Sequence, residues 1–154
     1  MLTLLRTLAL LLATASAAIQ SAPMVVYDNT SSDTLNSVFY SAGPYAQIGD
    51  RVQMQSASRV AGVQTQFFSL GVDATFDASL QFYSVSGAIY TPIGAAVQRT
   101  GIAIGADQVH NVDFDIAGGV DLPADLVLML SIANVSSGGD IALNFFDPPT
   151  VGQS

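Results

Sequence analysis

The chain has 154 residues, and its twelve acids, all aspartate, stand against four arginines for a formal net charge of −8. There is no lysine, glutamate or cysteine. That balance repels nucleic acid and anionic lipid, and the missing cysteine excludes disulfide staples and a cysteine-linked lipid anchor.

The first 22 residues stand apart. Met1 to Arg6 carries one positive charge, Thr7 to Thr14 is an apolar run, and Ala15-Ser16-Ala17 places small residues at the −3 and −1 positions of a cleavage site. That order predicts a helical secretory signal peptide over residues 1–17, cut after Ala17 or, as second choice, after Ala18. The run is well short of the roughly 20 residues that cross a bilayer as a helix, so an uncleaved anchor is the weaker alternative. A short linker, 18–22, then leads into one domain, 23–154. Removal of Arg6 with the leader leaves three arginines against twelve aspartates, a net charge of about −9. The remaining length suits one domain whose core is large enough to stand without disulfides.

Glutamate and lysine are good helix formers and aspartate favours turns, so the composition, with its 13 glycines, predicts an all-β chain. Met24 to Tyr27 reads as a first strand and Asp28 to Asp33 as a loop of turn formers. Leu35 to Tyr40 reads as a short strand or an aromatic plug, and Ser41 to Pro44 as a turn. Tyr45 to Val52 reads as a strand kinked at Gly49, with Arg51 pairing to an aspartate on a neighbouring strand. The longest alternating stretch is Arg59 to Tyr83. Val63, Thr65 and Phe67 alternate with Gln64, Gln66 and Phe68; Ala74, Phe76, Ala78, Leu80 and Phe82 alternate with polar residues. This period of two predicts a β-hairpin closed by Gly71-Val72-Asp73.

Ser84 to Pro92 reads as a loop, with Ile89 and Tyr90 folded back onto the core. Ala95 to Ile104 is a weaker strand among Gly94, Gly101 and Gly105, and Asp107-Gln108 is a turn. In Val109 to Ile116, His110, Val112, Phe114 and Ile116 share one face, while Asn111, Asp113 and Asp115 share the other. Gly118-Gly119 and Pro123 to Asp125 punctuate the next connection. Leu126 to Ala133 reads as a central strand buried on both faces. Ile141 to Phe146 is the last strand, ended by Asp147-Pro148-Pro149. About eight strands at this spacing predict an antiparallel β-sandwich or jelly roll. The stop at Ser154, just after a proline turn, leaves an open edge. We therefore expect a further strand or segment beyond it.

The runs Asp28-Asn29-Thr30, Ala46 to Arg51, Phe76 to Tyr83 and Phe146 to Gly152 together resemble the secreted bacterial β-sandwich domains of the PEP-CTERM and choice-of-anchor group. The resemblance covers most of the chain after the leader. It implies a signal peptide, one such domain and a C-terminal sorting segment, and hence a cell-surface or matrix protein associated with exopolysaccharide. Through Ser154 there is no Pro-Glu-Pro motif, apolar helix or basic tail. Either that segment lies further on, or the protein is released. The group carries over no catalytic residues.

Chemistry is sparse. His110, the single histidine, needs a nucleophilic serine and an orienting acid to form a hydrolytic site, and it sits among apolar neighbours. One histidine and no cysteine do not supply the usual ligand set of a catalytic zinc. Asp113 and Asp115, on one strand face about 7 Å apart, could form a carboxylate pair, but no tryptophan is present to stack a sugar. Calcium is the better metal hypothesis, with Asp28 and Asp33 or Asp113 and Asp115 as oxygen ligands, though no Asp-x-Asp-x-Asp-Gly loop occurs. No phosphate-binding loop is present. Asn29-Thr30-Ser31 and Asn134-Val135-Ser136 match glycosylation triplets.

The functional expectation is a secreted, non-catalytic extracellular or cell-surface protein with a structural or binding role, associated with polysaccharide or other matrix components. The alternative is a carbohydrate-binding module, calcium-assisted or not, with Tyr40, Tyr45, Tyr83 and Tyr90 as candidate stacking rings and Tyr83 and Tyr90 as the ligand candidates to test. A hydrolase ranks last.

Overall fold

The computed structural model describes residues 24, 36–40, 46–136 and 138–145. No helix occurs among them. The strands are β1 (Asn36–Tyr40), β2 (Ala46–Gln53), β3 (Ser58–Ser69), β4 (Ala74–Ser86), β5 (Ile89–Ile104), β6 (Val109–Leu122), β7 (Asp125–Ala133) and β8 (Ile141–Phe145). They form two antiparallel sheets, ordered β1-β8-β3-β6 and β2-β7-β4-β5. The predicted leader and the loop at Asp28 to Asp33 lie outside the described residues. So does the proposed first strand, except for Met24, which is exposed and in no strand.

The alternation in the sequence does set the two faces. Ala74, Phe76, Ala78, Leu80 and Phe82 of β4 are buried, and they share one core with Phe67, Val112, Phe114, Ile141 and Leu143 of the other sheet. The Phe67 and Phe76 rings meet with centroids 5.0 Å apart and planes tilted by 59°. That falls within the spacing at which aromatic pairs attract beyond simple burial. β7 is central, paired with β2 and β4, as its apolar run predicts. Arg51 pairs with an aspartate one strand away, Asp125 on β7, also as predicted.

Several expectations are corrected. β3 and β4 are not a hairpin: β3 pairs with β8 and β6, and β4 with β7 and β5. Residues 70–73 instead arch from one sheet to the other, so the two apolar rows face each other across the core rather than lie side by side. The arch is pinned on both sides. The buried Ser69 hydroxyl donates to the Val72 carbonyl at 2.6 Å. The Gly71 amide donates to Asp107 and the Ala106 amide donates to Asp73, each at 2.8 Å. The second of these arches, 105–108, also carries the chain between sheets.

Residues 84–92 are not a loop. β4 continues to Ser86, Gly87-Ala88 turns the chain, and β5 begins at Ile89. Gly87, at φ 60°, takes the first loop position that two-residue hairpins give to glycine. Ile89 and Tyr90 are 68% and 57% exposed, so they do not fold onto the core. The glycines read as weakening β5 mark its bulges instead. The β4–β5 register shifts between Phe76 and Ala78 and again between Leu80 and Phe82, opposite Gly101 and Gly94, both at positive φ. Asp77 accepts the Gly101 amide and the Gln81 amide donates to the Ile93 carbonyl, so β4 side chains clasp both bulges.

Gly118-Gly119 likewise lies inside β6, in the bulge between the Val60–Val120 and Gly62–Asp115 pairs, and does not begin the connection. Gly49 does not kink β2, whose register with β7 runs unbroken across it.

Candidate functional site

The outward face of the β2-β7-β4-β5 sheet gathers the two tyrosines singled out from the sequence. Phe82 points into the core, so its neighbour Tyr83 points outward, and the pairing continues that face across four strands. One row runs Arg51, Val127, Tyr83, Pro92. The next pairs Gln53 with Asp125 and Val85 with Tyr90. Tyr90 is therefore the diagonal cross-strand neighbour of Tyr83, a position within reach for aromatic side chains. Four strands spaced by about 4.8 Å make this face roughly 14 Å wide from β2 to β5.

The surface on the β7 side of Tyr83, away from Tyr90, is low and apolar. Val127 faces outward yet is only 7% exposed, flanked by Tyr83 and Arg51 as its cross-strand partners. Gly49 has no side chain, and Met129 occupies the space above it: a Cβ there would stand 3.2 Å from the Met129 sulfur and methyl carbon. Beyond this apolar strip the face turns polar, with Gln47, Ser131, Ser79 and Gln98 in one row.

One ion pair borders the strip. The Arg51 Nε donates to Asp125 Oδ1 at 2.8 Å and Nη2 donates to Oδ2 at 2.5 Å, a two-pronged contact. The hydrogen bond from Arg51 holds Asp125 below its ordinary carboxylate pKa. Arg51 is shifted upward, first by its hydrogen bond to Asp125, then by that group's charge.

The other predicted residues separate from this face. Asp113 and Asp115 project from the outward face of β6 in the opposite sheet. Asp113 accepts a hydrogen bond from Gln64 at 2.8 Å, and Asp115 forms an ion pair with Arg99 at 2.6 Å. Each calcium candidate of this pair is thus engaged by protein. Asp28 and Asp33 lie outside the described residues, as does Tyr45; Tyr40 ends β1. Among the described residues no three metal-ligating side chains come together. His110 is exposed at the start of β6, across from Phe67, and among the described residues its ring makes no hydrogen bond to a serine or an aspartate. A shallow, open depression of about 370 Å³ lies at the arch end of the molecule, lined by Asp73, Thr75, Gly105, Ser136 and small apolar residues.

Sequence reasoning missed Pro92, Val85, Val127, Met129 and the Arg51–Asp125 border as parts of one face. The signal was present for Val127 and Met129, since the β7 run is apolar at both parities. For Pro92 and Tyr90 it was hidden by reading 84–92 as a loop. No protein-family model, curated protein or solved structure matches this chain.

Proposed function

We propose that this is a secreted, non-catalytic protein of the cell exterior that binds polysaccharide through the outward face of β4 and β5. The observation that carries the reading is the placement of Tyr83 and Tyr90 as diagonal neighbours beside Pro92 on the outward face of the sheet. Sugar rings present C–H faces that stack on aromatic rings, while tyrosine hydroxyls and nearby amides can meet the sugar hydroxyls. An open sheet face receives the side of a polymer, whereas a hydrolase needs convergent acid and base groups around one bond.

The strand order supports the finer architecture expected from the sequence. A jelly roll, an architecture that lectin domains use, would order its sheets in this way, as β1-β8-β3-β6 and β2-β7-β4-β5. Export rests on the leader-like Met1 to Ala17. The resemblance to the PEP-CTERM group supports association with exopolysaccharide in a matrix.

The test is a pull-down of the purified chain on extracellular polysaccharide, with and without calcium, beside its Tyr83→Ala and Tyr90→Ala variants. Saturable retention that both substitutions abolish is the expected result. Equal retention of the variants would place binding elsewhere. No retention of the folded chain would leave a purely structural surface protein, and retention only with calcium would restore the aspartate candidates.

A further inference from the structure

Resting on that reading, we infer that the β4–β5 face selects uncharged polysaccharide over anionic polysaccharide, and takes internal stretches of the polymer rather than its ends. The decisive feature is the commitment of every described cation. Arg51 pairs with Asp125, Arg59 with Asp121 and Arg99 with Asp115, at 2.5, 2.9 and 2.6 Å. The chain has no lysine. On this face Arg51 is the single cation among the described residues, and its charge is already balanced by a carboxylate that takes Nε and Nη2 in a two-pronged contact.

A uronate or sulfate group arriving at the tyrosines would find the one cation of this face already neutralised, and would sit beside the Asp125 carboxylate. It would also approach against the field of a chain with net charge −8. An uncharged glycan meets neither obstacle. Its C–H faces find Tyr83, Tyr90 and Pro92, and its hydroxyls find the neutral Gln47, Ser79 and Gln98 row alongside.

The preference for internal stretches follows from relief. The face is a continuous sheet surface roughly 14 Å wide. Its central residues, Val127 and Met129, lie low, and Gly49 leaves space that Met129 fills. Among the described residues, none rises from it to close around a chain end.

Native affinity electrophoresis separates these statements. The purified chain is run through gels holding dextran, hydroxyethylcellulose or galactomannan as neutral polymers, and alginate or hyaluronan as anionic ones. Retardation by at least one neutral polymer and by neither anionic one is expected. Tyr90→Ala should weaken neutral retardation at least tenfold, while Asn111→Ala, on the outward face of the other sheet, should leave it within about twofold. Tyr90 is 57% exposed, so its removal spares the core, and an unchanged melting temperature verifies that. Retention should persist at about 0.5 M salt, where exposed charges are largely screened. Oligosaccharides of the retarding polymer should compete whether or not their reducing ends are capped. Retardation by alginate or hyaluronan as strong as by the neutral polymers, lost on Tyr90→Ala, would overturn the selectivity and leave the polysaccharide reading in place. Competition only by uncapped ends would overturn the internal-stretch statement. Absence of retardation by every polymer would overturn the reading itself and this inference with it.

Discussion

The two connections that leave β4 are both short and both glycine-bearing, yet they do opposite things. At its N-terminal end, residues 70–73 carry the chain across the core into the other sheet; at its C-terminal end, Gly87-Ala88 folds it back beside itself. Gly71 and Gly87 have nearly the same backbone setting, φ 73° and 60°, so the turn residue does not decide between them. What differs is the burial of the flanking strands. Around the arch, Phe67, Ser69, Ala74 and Phe76 are all buried, and two apolar rows can be covered together only by facing each other. Around the hairpin, Ser86, Ile89 and Tyr90 are exposed, so nothing drives the strands apart and backbone pairing prevails. An arch also gives up the ladder bonds a hairpin would make, and here side chains and amides from the facing 105–108 arch take their place.

The sharpest way to break this comparison is to remove its aromatic contact. Phe76→Ala should cost about 3–5 kcal/mol in chemical denaturation, the range for a fully buried phenylalanine. Ile89→Ala at the hairpin end should stay within about 0.5 kcal/mol, as exposed positions do. Similar losses at both would refute the difference in burial.

The next effect concerns the pins. Asp73→Ala and Asp107→Ala should each cost about 1 kcal/mol by loss of a charged acceptor. Asp107→Ala should cost about 1 kcal/mol more, because φ 55° is unfavourable for alanine. Asp107→Asn, which tolerates that backbone and keeps an acceptor, should be close to neutral. A double-mutant cycle between positions 73 and 107 should show coupling of about 0.5 kcal/mol or more, since both carboxylates hold the same pair of arches.

Gly71→Ala and Gly87→Ala should each cost about 1–2 kcal/mol, and by similar amounts. Neither site has an atom within 4 Å of an added Cβ, so only the positive φ is penalised. A large difference between them would mean that one loop relies on glycine for something besides its dihedral angle. Thr65, in β3 before the arch, has a buried hydroxyl with no partner among the described residues. Thr65→Val should raise stability by about 1 kcal/mol by removing that unmet donor.

The smallest effect is an acid response near the arch end of β4. Asp77 is held below its ordinary pKa of 3.8, first by its hydrogen bond from Asn134 and then by the Gly101 amide in the β5 bulge. Its folded pKa is depressed, so its contribution is complete above the unfolded value and is lost as pH falls through the folded one. Urea midpoints should therefore decline on acidification below about pH 4, and Asp77→Asn should show a shallower decline. An identical decline in that variant would remove Asp77 from the account.

Much of the architecture was legible in residue order. Alternation in 74–82 and 109–116 assigned inward and outward rows that the structure reproduces, and the two-sided apolar run at 126–133 marked the central strand. Arg51 was matched to an aspartate one strand away because no local partner lay on its face. The expected hairpin failed because a turn-forming triplet states that the chain reverses, without stating whether it reverses within a sheet or between two. The loop expected at 84–92 failed because Gly87 supplies a two-residue turn between long strands, and Pro92 sits on β5, an edge strand whose outer side pairs with no strand among the described residues.

By itself, then, the sequence determined that the chain is all-β and, where alternation is clear, which side of a strand seeks cover, because side-chain parity is a local property with a period of two. Strand partnership was left to the tertiary structure. Pairing depends on which apolar rows can be buried against each other, a choice made among segments far apart in the chain. That choice alone brought Arg51, Val127, Tyr83 and Pro92 into one row and set Tyr90 beside it.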